Sequence, residues 1–146
     1  MPGKIFVDSN VLVYARDATE REKQPKAMEW MAYLWQTRLG GLSIQVLQEF
    51  YVTVTQKLKP GMERPAARAD VRNLLAWRPL PMGRELLEAA WKLEDRYQLS
   101  WWDSLIVSAA QATACQYLLT EDLQDGQTFA NVRVLNPFIH TPREIH

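Results

Sequence analysis

The sequence predicts an α/β fold, a central parallel sheet with helices on both faces. Three observations predict it. Short apolar runs, "KIFV", "YLLT" and "VRVL", are separated by long stretches whose apolar residues recur at helical spacing. Short apolar strands alternating with helices fit a sheet that is covered on both faces. The chain has 146 residues, 47% of them hydrophobic. That length suits one domain over residues 1–146, which buries roughly 68–70% of its unfolded surface.

The elements follow in order. Residues 4–7 read as a short buried strand, and residues 10–16 as a short helix. Pro25 suits the first turn of a longer helix over residues 25–38, with Ala27, Met28, Met31, Leu34 and Trp35 recurring on one face. "GGLSIQ" reads as a turn and a short strand. "VLQEFYVTVTQKL" is ambiguous: Val52 to Thr55 favour a strand, whereas Val46, Phe50, Val54 and Leu58 fall on one helical face. "LKPGMERP" is a loop between helices. Residues 65–77, 83–97 and 101–115 read as helices, and the last two apolar runs as strands. Ligands of such sheets bind beyond the carboxyl ends of the strands.

Composition narrows the function. There are 17 basic and 17 acidic residues, so binding of nucleic acid must use a local patch. No apolar run approaches the roughly 18 residues of a membrane helix. The amino terminus lacks a charged segment followed by an apolar block, so a cytosolic location and no membrane partner are expected. Cys115 is the single cysteine, which excludes an internal disulfide and a cysteine-based zinc cluster.

The chemistry lies in the acids. Asp8 follows Ile5-Phe6-Val7 directly, and a second apolar run follows it. An ionised carboxylate in such surroundings is costly unless paired or bound to a metal. Asp122 follows "YLLTE" near the end of another strand. Asp103 falls in the first turn of a helix after "LSWW", and Glu49 lies in the segment after the second strand. Four carboxylates from separate segments could converge on one edge. They would repel, and a divalent cation removes the conflict. Each acid also has a plain structural reading. "SWWD" is a capping box, Glu49 suits a solvated helix position, and Asp122 could cap the turn "DLQDG". Asn10 could start a helix or hold one of the acids by its amide. Only the joint arrangement points to a site.

"FVDSNVLVY", "VLQEFYVTV", "LSWWDSLIVSAA" and "LLTEDLQDG" together resemble the PIN domain, and within it the toxin ribonucleases of VapC type from bacterial toxin–antitoxin pairs. The resemblance covers nearly the whole chain. It implies a PIN-like three-layer α/β/α fold and an endoribonuclease dependent on Mg2+ or Mn2+. It places the catalytic acids at Asp8, Glu49, Asp103 and Asp122, with Asp8, Asp103 and Asp122 as metal ligands. Asn10 and Thr120 match supporting polar positions, and Asp125 is a further acid that could stand in for Asp122. The resemblance also implies an RNA substrate, a cognate antitoxin and a homodimer.

Other features have two readings. Arg64, Arg68 and Arg72 recur every four residues, as a solvated face or as a phosphate-contacting stripe joined by Lys57 and Lys59. Trp101 and Trp102 could stack on a base, or one is core and the other lines the rim of the site. Trp30 and Trp35 read as core or a subunit contact, Cys115 as a small buried residue, and His140 and His146 as tail residues without a ligand role. Two rival functions stand beside the ribonuclease. One is a non-catalytic RNA- or partner-binding module. The other is a phosphatase of haloacid-dehalogenase type, which needs a second acid where this chain has Asn10.

Overall fold

The computed structural model describes residues 3–145. Strand β1 (Ile5–Val7) leads into helix α1 (Ser9–Ala15) and the longer α2 (Lys23–Thr37). Strand β2 is only Gly40–Gly41. Helix α3 (Ile44–Val52) starts at Ser43, whose Oγ accepts from the Val46 N–H at 3.3 Å, and runs into a π-helical turn over Thr53–Lys57. The helical reading of "VLQEFYVTVTQKL" therefore holds. Val46, Phe50 and Val54 are all buried, and that packing outweighs the β-branched residues. After the loop come α4 (Arg64–Leu74), with Pro65 in its first turn and a 3-10 turn Leu75–Trp77 behind it, then α5 (Arg84–Tyr97) and α6 (Trp101–Ala112). Strands β3 (Tyr117–Leu119), β4 (Thr128–Phe129) and β5 (Val132–Leu135) close the sheet, and a 3-10 turn, Pro142–Ile145, ends it.

The five strands lie in the order β2-β1-β3-β5-β4, parallel except for β4 against β5. The central residues Ile5, Phe6, Val7, Leu118 and Leu119 are fully buried, as expected of strands covered on both faces. The chain leaves β1 toward β2 on one side and returns to β3 on the other, so its direction reverses at β1. Right-handed crossovers running in opposite directions put helices on both faces, giving three α/β/α layers. The reversal opens a crevice at the carboxyl ends of β1 and β3.

Three details differ from the sequence reading. In α2 the buried face is Ala27, Trp30 and Leu34, while Met28 and Trp35 are exposed. Trp30 turns inward because its indole N–H donates to the backbone carbonyls of Pro137 and His140, at 3.2 and 3.0 Å. Strand β2 is the Gly pair itself, and Ser43 already caps α3. Gly40 is required there, since a Cβ would lie 2.3 Å from the Trp77 ring. The two-residue β4 carries no apolar run and left no signal in the sequence. No helix among the described residues is long and apolar enough to cross a membrane. His146 lies outside the described residues.

Candidate functional site

Asp8 stands where β1 ends and α1 begins, and both elements hold it. Its backbone N–H still donates into the sheet, to the Leu119 carbonyl at 3.1 Å. Its side chain already caps the helix, with Oδ1 accepting from the Ser9 N–H at 2.7 Å. Oδ2 accepts from the Thr120 hydroxyl at 2.8 Å and from Asn10 Nδ2 at 3.4 Å. Only 5% of Asp8 is exposed. Val7 pairs with Leu119 in register, so the next residue of each strand, Asp8 and Thr120, stand side by side. The sequence shows an isolated carboxylate, and the neighbouring strand supplies its partner.

Asn10 Nδ2 also reaches Thr120 Oγ1 at 3.2 Å and Asp122 Oδ2 at 3.0 Å. One amide thus ties the acids of two strand ends, while its own Oδ1 is buried without a partner. The Asp122 backbone N–H donates to Thr120 Oγ1 at 3.1 Å, and the Asp122 residue is exposed. The Thr120 hydroxyl has one proton, which goes to Asp8, and accepts from the other two groups.

Glu49 projects from α3. Gln45, one turn earlier, donates to Glu49 Oε1 at 3.2 Å, and its own Oε1 is buried without a partner. Asp103 lies in the first turn of α6 behind Ser100, whose Oγ accepts from the Asp103 N–H at 3.1 Å. Ser100 thus caps α6 through the Asp103 N–H, and a hydrogen bond from Ser100 also works to lower the pKa of the Asp103 carboxyl.

The four acids feel one another. Burial pushes the Asp8 pKa up to about 7, and Asp122 and Glu49 push it the same way against the hydrogen bonds from Thr120 and Ser9. Burial also raises Glu49, helped by Asp122 and Asp103 and opposed by Gln45 and Lys57. Asp103 is raised by burial and by Asp122. Asp122 is thus the common neighbour of the other three. As placed, no three His, Cys, Asp or Glu side chains among the described residues form a group that could hold a metal ion. The donor chemistry still fits a hard divalent cation. Every group offers oxygen, Asp8 and Asp122 are tied to one amide, and the repulsion is what a cation relieves. Magnesium commonly takes only one or two carboxylates and completes its shell with water and phosphate oxygens.

The remaining candidates fall elsewhere. Asp125 is held by other partners. Its Oδ1 accepts from the Asn136 N–H at 2.9 Å, and its Oδ2 meets His140 Nε2 at 2.7 Å. Burial works to raise its pKa, but these two contacts and Arg133 bring it below the ordinary value. Arg64, Arg68 and Arg72 are exposed along α4, and Arg68 Nε donates to Tyr51 Oη at 3.1 Å. Trp102 is 61% exposed, while Trp101 is half-buried and stacks on Trp91 at 6.1 Å. Cys115 is buried. Sequence reasoning missed Gln45, although its four-residue spacing from Glu49 was visible. It also missed Glu121, whose carboxylate takes hydrogen bonds from Tyr14 Oη and from Lys23 Nζ at 2.9 Å.

A mostly parallel sheet whose central strands end in a cluster of carboxylates defines an α/β protein with an acidic site at the sheet's carboxyl edge. The chain belongs to the PIN domain family, whose model matches residues 5–133. That membership sets the phosphatase reading aside. Among solved structures, the Mycobacterium tuberculosis toxin VapC20, described as cleaving the sarcin–ricin loop, matches with a TM-score of 0.64 at 22% identity, over 89% of this chain and 99% of that one. A toxin–antitoxin complex from Klebsiella pneumoniae matches with a TM-score of 0.56 at 17% identity, over 92% of this chain and 98% of that one. Both are likenesses of fold. No significant match is found among curated proteins.

Proposed function

We propose that the protein is a metal-dependent endoribonuclease, the toxic component of a toxin–antitoxin pair, acting in the cytosol as a single PIN domain over residues 1–146. What supports the reading is the electrostatic coupling of Asp8, Glu49 and Asp103 to Asp122 in a member of this family. Asp8, Asp103 and Asp122 would hold Mg2+ or Mn2+. Bound there, such an ion would supply activation of a water and stabilisation of charge on the phosphodiester. Asn10 and Thr120 fix Asp8 and Asp122 relative to each other. Gln45 occupies Glu49 Oε1, which leaves Oε2 to accept a proton from water. Arg64, Arg68 and Arg72, with Lys57 and Lys59, offer phosphate contacts for RNA.

The antitoxin partner has a place to lie. An apolar groove of about 570 Å³ runs between α3 and α4, lined by Leu47, Val52, Val71 and Leu75 with Arg68 and Arg72 beside them. A second, of about 760 Å³, is lined by Met28, Met31 and Trp35 of α2 and by Leu74 of α4. An arginine of the inhibitor can pair bidentately with the acid cluster and displace the ion. The homodimer, also proposed, covers part of the remaining apolar surface. Incubation of purified protein with folded RNA tests the reading. Cleavage is expected with magnesium or manganese, not in chelator, and not by Asp8→Asn. Binding of RNA without ion-dependent cleavage would favour a binding module on the same fold instead.

A further inference from the structure

Residues 136–145 lie beyond the stretch that the family model matches, yet they hold Asp125 and pack on Tyr14 and Lys23, on either side of the loop that carries Asp122. The segment is anchored from inside. The fully buried Trp30 donates to the carbonyls of Pro137 and His140, and Lys26 Nζ donates to the Phe138 carbonyl at 3.2 Å. From that anchor His140 reaches out with both ring nitrogens. Nε2 meets Asp125 Oδ2 at 2.7 Å, and Nδ1 meets Glu144 Oε2 at 2.6 Å. The Asn136 N–H holds the other oxygen of Asp125.

The same segment reaches the other end of the loop indirectly, through Tyr14 and Lys23. Phe138 packs its ring edge-on against Tyr14 at 5.1 Å. Lys23 Nζ lies 4.8 Å from the Tyr14 ring centre and 5.3 Å from that of Phe138, and Lys23 and Tyr14 together hold Glu121. Asp122 stands between Glu121 and Asp125. Its side chain is held among the described residues by Asn10 alone. Asn10 and Thr120 hold Asp122 directly, and the braced residues Glu121 and Asp125 flank it in the loop.

We propose that residues 136–145 form a strap for the acidic loop, and that His140 is a positioning residue that steadies, through Asp125, the loop on which Asn10 and Thr120 hold Asp122. The proposal rests on the reading of Asp8 and Asp122 as ligands of a divalent ion. A ligand carboxylate on a loosened loop must be ordered again when the ion binds, so the strap acts on ion affinity. Changes in groups that support metal ligands commonly cost 10–100-fold in affinity.

The test follows the melting temperature of ion-free protein as magnesium chloride is added. His140→Ala is expected to raise the magnesium concentration for half the full thermal shift about tenfold. His140→Gln, which keeps one donor toward Asp125, is expected to recover part of that loss. Asp125→Asn keeps an acceptor for Asn136 and is expected to move the midpoint in the same direction, so it decides the matter if His140→Ala does not fold. A midpoint within twofold of wild type in the folded variants, even with a lower melting temperature without ion, overturns the strap. If the wild-type protein shows no shift with magnesium or manganese, the metal-site reading itself falls and takes the strap with it. A wild-type shift with unmoved variants removes the strap alone.

Discussion

Replacing Asp8 with Asn should make the ion-free protein more stable at pH 8. The carboxyl is 5% exposed and its pKa rises from 3.8 to about 7 on folding. Such a rise corresponds to about 4 kcal/mol of cost when the group is ionised in the native state. The sign follows from linkage. Below about pH 4 the carboxyl is protonated in both states and carries no penalty. As pH rises from about 4 to about 7 the unfolded chain ionises first, so stability falls, and above about 7 the full cost is present. The amide of the Asp8→Asn variant has no charge to bury but must rearrange the contacts with Thr120 and Asn10, losing roughly 1–1.5 kcal/mol. The net gain at pH 8 is about 2–3 kcal/mol, or roughly 5–10 °C in melting temperature for a chain of this size. Melts followed by circular dichroism in chelator, from pH 4 to pH 8, measure it. The gap should open as pH rises and narrow when magnesium is added at pH 8, because the ion stabilises only the wild type. A variant that melts below wild type at pH 8 in chelator, or a gap that is the same at pH 4 and pH 8, would refute the reasoning.

Asp103→Asn and Glu49→Gln are expected to cut RNA cleavage by about 100-fold or more with their far-ultraviolet spectra unchanged, since both half-buried acids keep their shape and lose only charge. A rate within twofold of wild type at saturating magnesium would remove the residue from the site. The double variant Arg68→Glu, Arg72→Glu is expected to weaken RNA binding at least tenfold at low salt and to leave the magnesium-dependent thermal shift unmoved. Unchanged RNA affinity would return that row to a solvated face or to the rim of a protein groove. Light scattering at micromolar concentration should give twice the chain mass, and co-expression with the neighbouring small reading frame should relieve growth arrest and yield a copurifying complex. A monomer would count against the dimer, and a frame product that does neither would leave a free-standing nuclease.

The order of elements was legible because periodicity and turn residues mark them locally. Asp8 was legible for a related reason: a carboxylate between two apolar runs contradicts its own neighbourhood. What holds Asp8 was far less visible, because Thr120 meets it through strand pairing 112 residues away in sequence. The inward face of α2 was misread for the same kind of reason. Composition favoured Met28 and Trp35, but the segment after Asn136 covers the Trp30 side and supplies carbonyls for its indole. His140 was set aside as a tail residue, since proximity to a chain end is visible in a sequence and a partner such as Asp125 is not. Glu49 and Asp103 were singled out by pattern, yet their coupling to Asp122 depends on how α3 and α6 approach the sheet, which no local rule supplies.

The outermost strands of the sheet, Gly40–Gly41 and Thr128–Phe129, are two residues long. An exposed strand is ordinarily a template on which another chain can add itself through backbone hydrogen bonds, with little regard for side chains. Here each border offers only a couple of such bonds before the chain turns away, too little to recruit a foreign strand. A protein partner of this fold would then be met by side chains of the flanking helices and loops rather than by a sheet edge. Those side chains can change without disturbing the sheet, so the fold and the choice of partner are set by separate residues.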